Sequence, residues 1–232
     1  MLYLIATPIG NLSDITFRAI EILQQVDYIL CEDTRRACKL LQRYSIKNRL
    51  VPFHRFNEKS REKIILQDLA LNKNIALLSD AGMPTISDPG SGLVAACNRS
   101  QIAVTTLPGP SAPLTALSLS GLITDRFQFL GFLPKQARKK QRLLEEILLY
   151  PGVSISFESP HRLRKTLQDL AALCPDHLIY VARELTKKFE EMKSGKSKEL
   201  LEYFATKPVK GEITILIPVS YTHLRAHETS LH

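Results

Sequence analysis

Short apolar runs alternate with longer amphipathic segments along the first half of the chain. Residues 2–6 and 75–78 are unbroken apolar runs, which are typical of strands buried on both faces of a sheet. Residues 17–26 instead space their apolar side chains three and four apart, as an amphipathic helix does. Strands that alternate with helices predict an α/β fold with a mostly parallel sheet covered on both faces.

A first domain is predicted over residues 1–120. Its strands are expected at residues 2–6, 28–31, 50–52, 75–78 and 102–107. Its helices are expected at residues 17–26, 35–44, 58–71, 92–98 and 111–120. Because each strand leads into a helix, the carboxyl ends of the strands should lie at one edge of the sheet, where open α/β sheets bind ligands.

The pattern is less regular in the second half, where a second domain is predicted over residues 121–219. Its strands are expected at residues 127–132, 153–157, 178–182, 188–193 and 211–217. Its helices are expected at residues 135–149, 162–173 and 198–205. This mixture predicts an α/β domain with a mixed sheet.

The last residues, 220–232, follow neither pattern and carry His223, His227 and His232. A metal-binding tract is one interpretation, but no carboxylate or cysteine spacing supports it. The segment resembles peptide translated from sequencing-adapter DNA. We therefore treat it as a non-native tail and leave it out of the functional interpretation.

Composition narrows the class of protein. The 232 residues are 44% hydrophobic, which is enough for a sizeable core. The sequence has no apolar run of about 18 residues, so no membrane segment is predicted. Its four cysteines form no C-x-x-C pair, which favours a reducing cytoplasm. The formal net charge of +8 favours a polyanionic partner such as RNA.

Residues 79–90 are the most distinctive stretch of the sequence. They follow a predicted strand and combine Gly82, Gly90, two prolines, Asp80 and Asp88. Glycine allows backbone to approach a ligand closely, and proline fixes the shape of a loop. An ordinary strand-to-helix turn with Ser87 or Asp88 as helix cap is the alternative. Since such a turn needs few of these residues, we favour a ligand-binding loop.

Three other loops follow predicted strands of the first domain, at residues 6–12, 32–35 and 107–112. They should reach the same sheet edge as residues 79–90 and line one crevice with them. The sequence contains no G-x-G-x-x-G, no G-x-x-x-x-G-K-[ST] and no G-x-S-x-G. A glycine-rich dinucleotide site, a P-loop and a hydrolase nucleophile elbow are therefore not predicted.

Strand ends of the second domain carry the candidate acid–base groups. Glu158 and Glu184 are candidate bases, while Arg162, Arg183 and Lys187 are candidate contacts to phosphate or ribose. Helix caps and surface ion pairs are the alternative role for each of them. The residues alone do not choose between these roles.

A run of cations occupies residues 134–142. If this segment is helical, Lys135, Arg138, Lys139 and Arg142 lie three and four apart and form one basic stripe. Such a stripe suits the phosphate backbone of RNA. A solvated helix face is the alternative.

Taken together, these loops resemble the tetrapyrrole methylase superfamily of S-adenosylmethionine-dependent methyltransferases, whose members lack the glycine-rich fingerprint. The matching segments are residues 4–12, 31–35, 53–58, 79–90, 107–112, 131–134, 158–162 and 182–187. Within the superfamily, the closer resemblance is to the enzymes that methylate the 2′-oxygen of a cytidine in 16S ribosomal RNA.

The resemblance implies a cytoplasmic two-domain homodimer that binds S-adenosylmethionine in the cleft between its domains, needs no metal and acts on the small ribosomal subunit. By position, the residues expected to line the cofactor site are Pro8, Asp80, Gly82, Met83, Pro84, Ser111 and Ala112. Asp80 and Asp88 are then expected to shape the cofactor site and fix the loop.

The implied reaction is in-line methyl transfer to a ribose hydroxyl, a poor nucleophile that needs help in losing its proton. Glu158 or Glu184 is expected to accept the proton, and Arg35, Arg183 or Lys187 to orient the ribose-phosphate. Two alternatives stay open. One is methylation of a tetrapyrrole ring carbon or a diphthine-like substrate, and the other is a non-catalytic RNA-binding module.

Overall fold

Two five-stranded sheets organise the part of the chain that this computed structural model describes, residues 1–123, 125–206 and 208–219. The chain divides into two compact units after Ser111, and each unit contains one of the sheets. The predicted tail, residues 220–232, lies outside the described residues.

The first unit is built on a parallel sheet, as predicted. Its strands are β1 (Leu2–Ile5), β2 (Tyr28–Cys31), β3 (Leu50–Pro52), β4 (Ile75–Leu78) and β5 (Val104–Leu107), in the spatial order β3-β2-β4-β1-β5. Every neighbouring pair is parallel. The helices between successive strands are α1 (Phe17–Gln25), α2 (Thr34–Arg43), α3 (Glu58–Ala70) and α4 (Ser91–Arg99).

Both faces of this sheet are buried, which explains why its strands are apolar at successive positions. Ile29 and Leu78 pack in one cluster with residues of α1 and α2. Leu30 and Leu77, their neighbours along the strands, pack in another with residues of α3 and α4. Successive side chains of a strand point to opposite faces, so a sheet covered on both sides needs apolar residues at consecutive positions.

The second unit has a mixed sheet, which also confirms the prediction. Its strands are β6 (Phe127–Phe132), β7 (Val153–Glu158), β8 (Leu178–Arg183), β9 (Glu191–Lys196) and β10 (Ile213–Pro218), in the order β6-β7-β10-β8-β9. β6 and β7 are parallel and the other neighbours are antiparallel. Its helices are α5 (Ala112–Ser120), α6 (Ala137–Leu149), α7 (Pro160–Leu173) and α8 (Ser197–Ala205).

The two largest differences from the predicted boundaries concern α5 and β9. The predicted first domain includes the helix at residues 111–120, whereas α5 contacts β7 and β10 and groups with the second unit. The strand predicted at residues 188–193 lies three residues later, as β9. The reason is a turn before it, in which the amide of Lys187 donates to the Glu184 carbonyl and that of Glu190 to the Lys187 carbonyl.

The basic segment at the start of α6 also differs from its prediction. Gln136 is extended and occupies the N-cap position of the helix. Lys135 therefore lies before the helix, and the predicted four-residue helical stripe is wrong at that position. Arg138, Lys139 and Arg142 are exposed. Lys140 is only 6% exposed, and its Nζ lies 2.6 Å from Asp169 Oδ2 on α7.

The buried Lys140 ion pair should therefore contribute to stability where its exposed neighbour does not. We expect Lys140→Ala to lower the free energy of unfolding by about 1–3 kcal/mol, because Asp169 loses its buried partner and keeps Lys165 at 3.0 Å. Lys139→Ala, the adjacent exposed lysine, should change it by less than about 0.5 kcal/mol. Urea unfolding of both variants measures the difference, and equal effects would contradict a structural role for Lys140.

Candidate functional site

A pair of backbone hydrogen bonds joins two strand-end loops of the first unit. The amide of Thr7 donates to the Gly82 carbonyl, and the amide of Gly82 donates to the Thr7 carbonyl, each at 2.9 Å. The buried Thr7 hydroxyl donates to the Ser79 carbonyl at 3.1 Å. Ser79 Oγ in turn donates to the Gly82 carbonyl at 2.6 Å. The loop after β4 is thus fixed to the loop after β1.

The backbone of residues 79–90 has an unusual conformation. Gly82, Thr85, Ser87 and Gly90 all have positive φ, between 67° and 118°. For Thr85 and Ser87 this region is costly, and such residues are common at ligand sites that the surrounding structure holds in shape. Gly90 is also the N-cap of α4, so neither Ser87 nor Asp88 caps that helix as the alternative interpretation required.

The loop after β5 packs against the residues that follow β1 and β4. A Cβ atom on Gly109 would lie 2.8 Å from the Cβ of Ala6, and one on Gly82 would lie 3.7 Å from the Pro110 carbonyl oxygen. Residues of the loops after β1, β4 and β5 therefore meet at the carboxyl edge of the sheet. This is the edge at which the alternation of strands and helices predicted a ligand site.

A cavity of about 220 Å³ opens between the loops after β1 and β4 and the face of α2. Pro8 and Asp80, two of the predicted cofactor residues, line it, and so do Arg36 and Lys39 of α2, which were not among the predicted site residues. The remaining walls are largely apolar. An apolar cavity with a few charged groups is typical of a small-molecule site.

Asp80 is held in place from two sides. Its Oδ1 accepts a hydrogen bond from the amide of Asp33 at 3.1 Å, and its Oδ2 lies 3.5 Å from a guanidinium nitrogen of Arg36. Arg35 has a different environment. Its side chain is 87% exposed and pairs with the Asp33 carboxylate at 2.7 Å, and this bonding lowers the pKa of Asp33 to about 2.

The other predicted cofactor residues lie on the same loops. Gly82 and Pro84 are buried, and Met83 between them is half-buried. Ser111 and Ala112 are half-buried and are the last residue of the first unit and the first of the second. The signal that could have identified Arg36 is its spacing, since Arg36, Lys39 and Leu40 lie three and four apart on α2 and share a face.

Glu158 of β7 is fully enclosed by hydrogen-bond donors. Its side chain has no exposed surface and forms an ion pair with Arg162 at 2.8 Å. Its Oε1 accepts from the amide of Ser159 at 2.7 Å, and its Oε2 accepts from the Thr166 hydroxyl at 2.6 Å. Arg162 also donates to the Leu133 carbonyl at 2.6 Å and is one-quarter exposed. Glu158 thereby fixes the orientation of Arg162.

Glu184 lies in a more open network. Its Oε1 accepts hydrogen bonds from Lys187 Nζ at 2.8 Å and from the amide of Glu212 at 3.0 Å. Burial alone would raise the pKa of Glu184, but the bonds from Lys187 and Glu212 bring it below its usual value. Gly211, with φ of 90°, leaves room for this carboxylate, which a Cβ atom would displace. Glu184 is thus ionised at neutral pH.

Lys187 and Arg183 are both held by carboxylates. Lys187 Nζ bonds to Glu184 and to Glu212 Oε2, the latter at 3.0 Å. Arg183 Nε donates to Glu191 Oε2 at 2.9 Å. Both cations remain partly exposed, so both can also contact an anion from solvent.

An acidic group at the sheet edge has an altered affinity for protons. Burial, together with the negative charges of Glu32 and Asp80, raises the pKa of Asp88 to about 6.

The described residues include no group of three histidine, cysteine or acidic side chains placed to hold a metal ion. Every helix within the described ranges is too short or too polar to cross a membrane.

Comparisons with known proteins give consistent matches. The family described as tetrapyrrole (corrin/porphyrin) methylases matches residues 1–201. Curated proteins called ribosomal RNA small subunit methyltransferase I, from Halalkalibacterium halodurans and Thermotoga maritima, are 44% and 45% identical over 216 residues. These alignments cover 93% of this chain, and 75% and 97% of the respective relatives.

A solved structure supports the same fold. The crystal structure of diphthine synthase superimposes with a TM-score of 0.76 over 94% of this chain and 89% of that one. Its sequence is 15% identical, so the likeness concerns the fold and not the substrate.

The raised pKa of Asp88 makes stability depend on pH. The folded protein holds this proton more tightly than the unfolded chain, whose pKa is near 3.8. The contribution of the Asp88 carboxyl to the free energy of unfolding is therefore fully present below pH 3.8. It is lost as the pH rises through about 6.

We expect Asp88→Asn to remove this loss. Allowing for the partial exposure of Asp88, the variant should gain about 1 kcal/mol in free energy of unfolding at about pH 8, or about 2–4 °C in Tm. This gain should vanish near pH 4. Thermal unfolding across this pH range measures it, with Glu21→Gln on the exposed side of α1 as the matched control. A constant difference between Asp88→Asn and the wild-type protein at all pH values would contradict this account.

Proposed function

We propose that this chain, which belongs to the tetrapyrrole (corrin/porphyrin) methylase family, transfers a methyl group from S-adenosylmethionine to the 2′-oxygen of a cytidine in the RNA of the small ribosomal subunit. The observation that carries the proposal is its likeness, over nearly its whole length, to ribosomal RNA small subunit methyltransferases. The fold shared with diphthine synthase carries no argument for that substrate.

The cavity of the first unit fits the amino-acid end of S-adenosylmethionine. That end carries an ammonium and a carboxylate, which need an anion and a cation respectively. Asp80 offers the first, and Arg36 and Lys39 offer the second. Pro8 and the apolar walls suit the uncharged part of the molecule. When bound, the cofactor supplies an electrophilic methyl group.

Glu184 is the better candidate to accept the proton of the ribose hydroxyl. It is ionised, and both of its hydrogen bonds use Oε1, so Oε2 can receive the proton. Lys187 keeps the carboxylate in position, and with Arg183 it can contact the neighbouring phosphate. A positioned base typically accelerates such a step by about 10²–10⁴-fold.

Glu158 has a different role in this proposal. Both of its oxygens already accept hydrogen bonds, and its side chain has no access to solvent. A carboxylate so enclosed cannot reach a ribose hydroxyl. We assign it to positioning Arg162, whose partly exposed guanidinium can contact the RNA backbone.

The charge of the protein suits an RNA substrate. The formal net charge is +8, and Arg138, Lys139 and Arg142 lie exposed near the start of α6. Such cations bind phosphates and release counterions. The homodimer, the cytoplasmic location and catalysis without a metal are further parts of the proposal, and they rest on the family resemblance.

One experiment tests substrate, atom and activity together. The protein is incubated with methyl-labelled S-adenosylmethionine and small ribosomal subunits that lack the modification, and the labelled nucleotide is mapped by nuclease digestion and mass spectrometry. We expect one labelled cytidine that carries the methyl group on its ribose. Label on a base or a protein would contradict the proposed substrate, and the absence of any label would favour a non-catalytic RNA-binding protein.

The proposed proton acceptor predicts the behaviour of Glu184→Gln. The amide keeps the size of the side chain but cannot take a proton, so kcat should fall by about 100-fold or more. The affinity for S-adenosylmethionine, measured by calorimetry, should stay within about twofold of the wild-type value, since Glu184 is not part of the cavity in the first unit.

Glu212→Gln is the matched control. Glu212 is also bonded to Lys187 through its side chain, but that side chain is 65% exposed. Its variant should keep a kcat close to that of the wild-type protein. A Glu184→Gln variant with normal kcat would remove Glu184 from the reaction.

A further inference from the structure

The turn after β3 presents an aromatic side chain to solvent. Phe56 is 94% exposed, whereas Phe53, three residues earlier, is completely buried. Arg55, Lys59 and Ser60 around Phe56 in sequence are exposed polar residues. An apolar side chain this exposed, between polar neighbours in sequence, contributes little to the core of the first unit.

This turn is fixed by its own hydrogen bonds. The Asn57 side chain accepts from the amide of His54 at 2.8 Å and donates to the Pro52 carbonyl at 3.1 Å. The His54 carbonyl accepts from the amides of Asn57 and Glu58, at 2.9 and 3.0 Å. The His54 ring meets the edge of Phe56 with 6.1 Å between centroids. Phe56 is therefore held outward by an ordered turn.

The same turn is tied to the candidate cofactor loop. Glu58, two residues after Phe56, accepts a hydrogen bond through Oε1 from the amide of Gly90 at 3.2 Å. The same oxygen lies close to Gly92 at the start of α4, where an added Cβ atom would be only 3.1 Å from it. Since β3 is parallel to its neighbour β2, the turn is at the same sheet edge as residues 79–90.

The polar surroundings of Phe56 favour a nucleobase over a protein surface. A protein partner or a second copy of the chain would call for a contiguous apolar patch. One aromatic ring beside arginine instead matches an unpaired nucleotide, whose base stacks on the ring while its phosphate meets the cation.

We propose that Phe56 stacks on an unpaired base of the substrate RNA and that Arg55 contacts an adjoining phosphate. This inference rests on the proposed function in one respect, that the substrate is RNA. It adds a residue that selects the substrate and takes no part in the chemistry.

Kinetics with Phe56→Ala, Phe56→Tyr and Leu71→Ala test the inference. Leu71 is the control, because it is also large, apolar and 73% exposed, but follows the opposite end of α3. The substrate is the small ribosomal subunit that lacks the modification. Stacking of one base is typically worth a factor of about 5 to about 140 in affinity.

We expect Phe56→Ala to raise KM for the subunit by at least about fivefold, with an unchanged Kd for S-adenosylmethionine. Phe56→Tyr should retain the wild-type KM because it keeps the ring, and Leu71→Ala should match the wild-type protein. An unchanged KM in Phe56→Ala, or an equal loss in Phe56→Tyr, would overturn the inference. A change in oligomeric state on sedimentation of Phe56→Ala would also overturn it, in favour of a contact between copies.

The two proposals can fail separately. If the wild-type protein methylates the subunit and Phe56→Ala does so with the same KM, only the stacking role is rejected. A wild-type protein without methylation rejects the proposed function. In that case, fluorescence anisotropy with a labelled single-stranded oligoribonucleotide still tests the stacking role, since Phe56→Ala should bind it at least about fivefold more weakly.

Discussion

The reciprocal backbone hydrogen bonds between Thr7 and Gly82 are the interaction on which the candidate site of the first unit depends. They fix the ends of two parallel strands to each other at the point where Pro8 and Asp80 face the cavity. Gly82 can take part because its φ of 82° is easily reached only by glycine. Without this pairing, the backbone around Gly82 would be less ordered, and binding of a small cofactor would cost the conformational entropy of ordering it.

The fold and the family could be predicted because both depend on local patterns. Consecutive apolar residues such as Ile29 and Leu30 indicate a strand buried on both faces, and the two packed faces of the parallel sheet confirm it. The resemblance to tetrapyrrole methylases, which was read from the strand-end loops, is likewise confirmed, since that family matches residues 1–201. The strand-end positions of Asp80 and Glu184 follow from the same alternation of elements.

The environment of individual charges could not be predicted, because it depends on residues that are distant in sequence. In the sequence, Lys140 cannot be distinguished from the exposed cations beside it, because its partner Asp169 lies on the next helix. Arg35 and Arg36 are adjacent, but only the turn of α2 places Arg36 at the cavity and leaves Arg35 in solvent. Glu158 is the last residue of β7 and Glu184 directly follows β8, but Thr166 and Arg162 enclose only Glu158. Such contacts arise only once helices and strands have packed.

The central claim is that the loops joined by the Thr7–Gly82 hydrogen bonds hold the cofactor. Amide hydrogen–deuterium exchange of the whole chain tests it most directly, measured with and without saturating S-adenosylmethionine. We predict that the cofactor slows exchange of the amides in residues 7–12, 36–40 and 79–84, three segments that each contribute residues to the lining of the cavity. Under the same conditions, residues 64–72 at the far end of α3 should exchange as they do without it. Binding of the cofactor with no slowing in residues 7–12 and 79–84 would contradict the account.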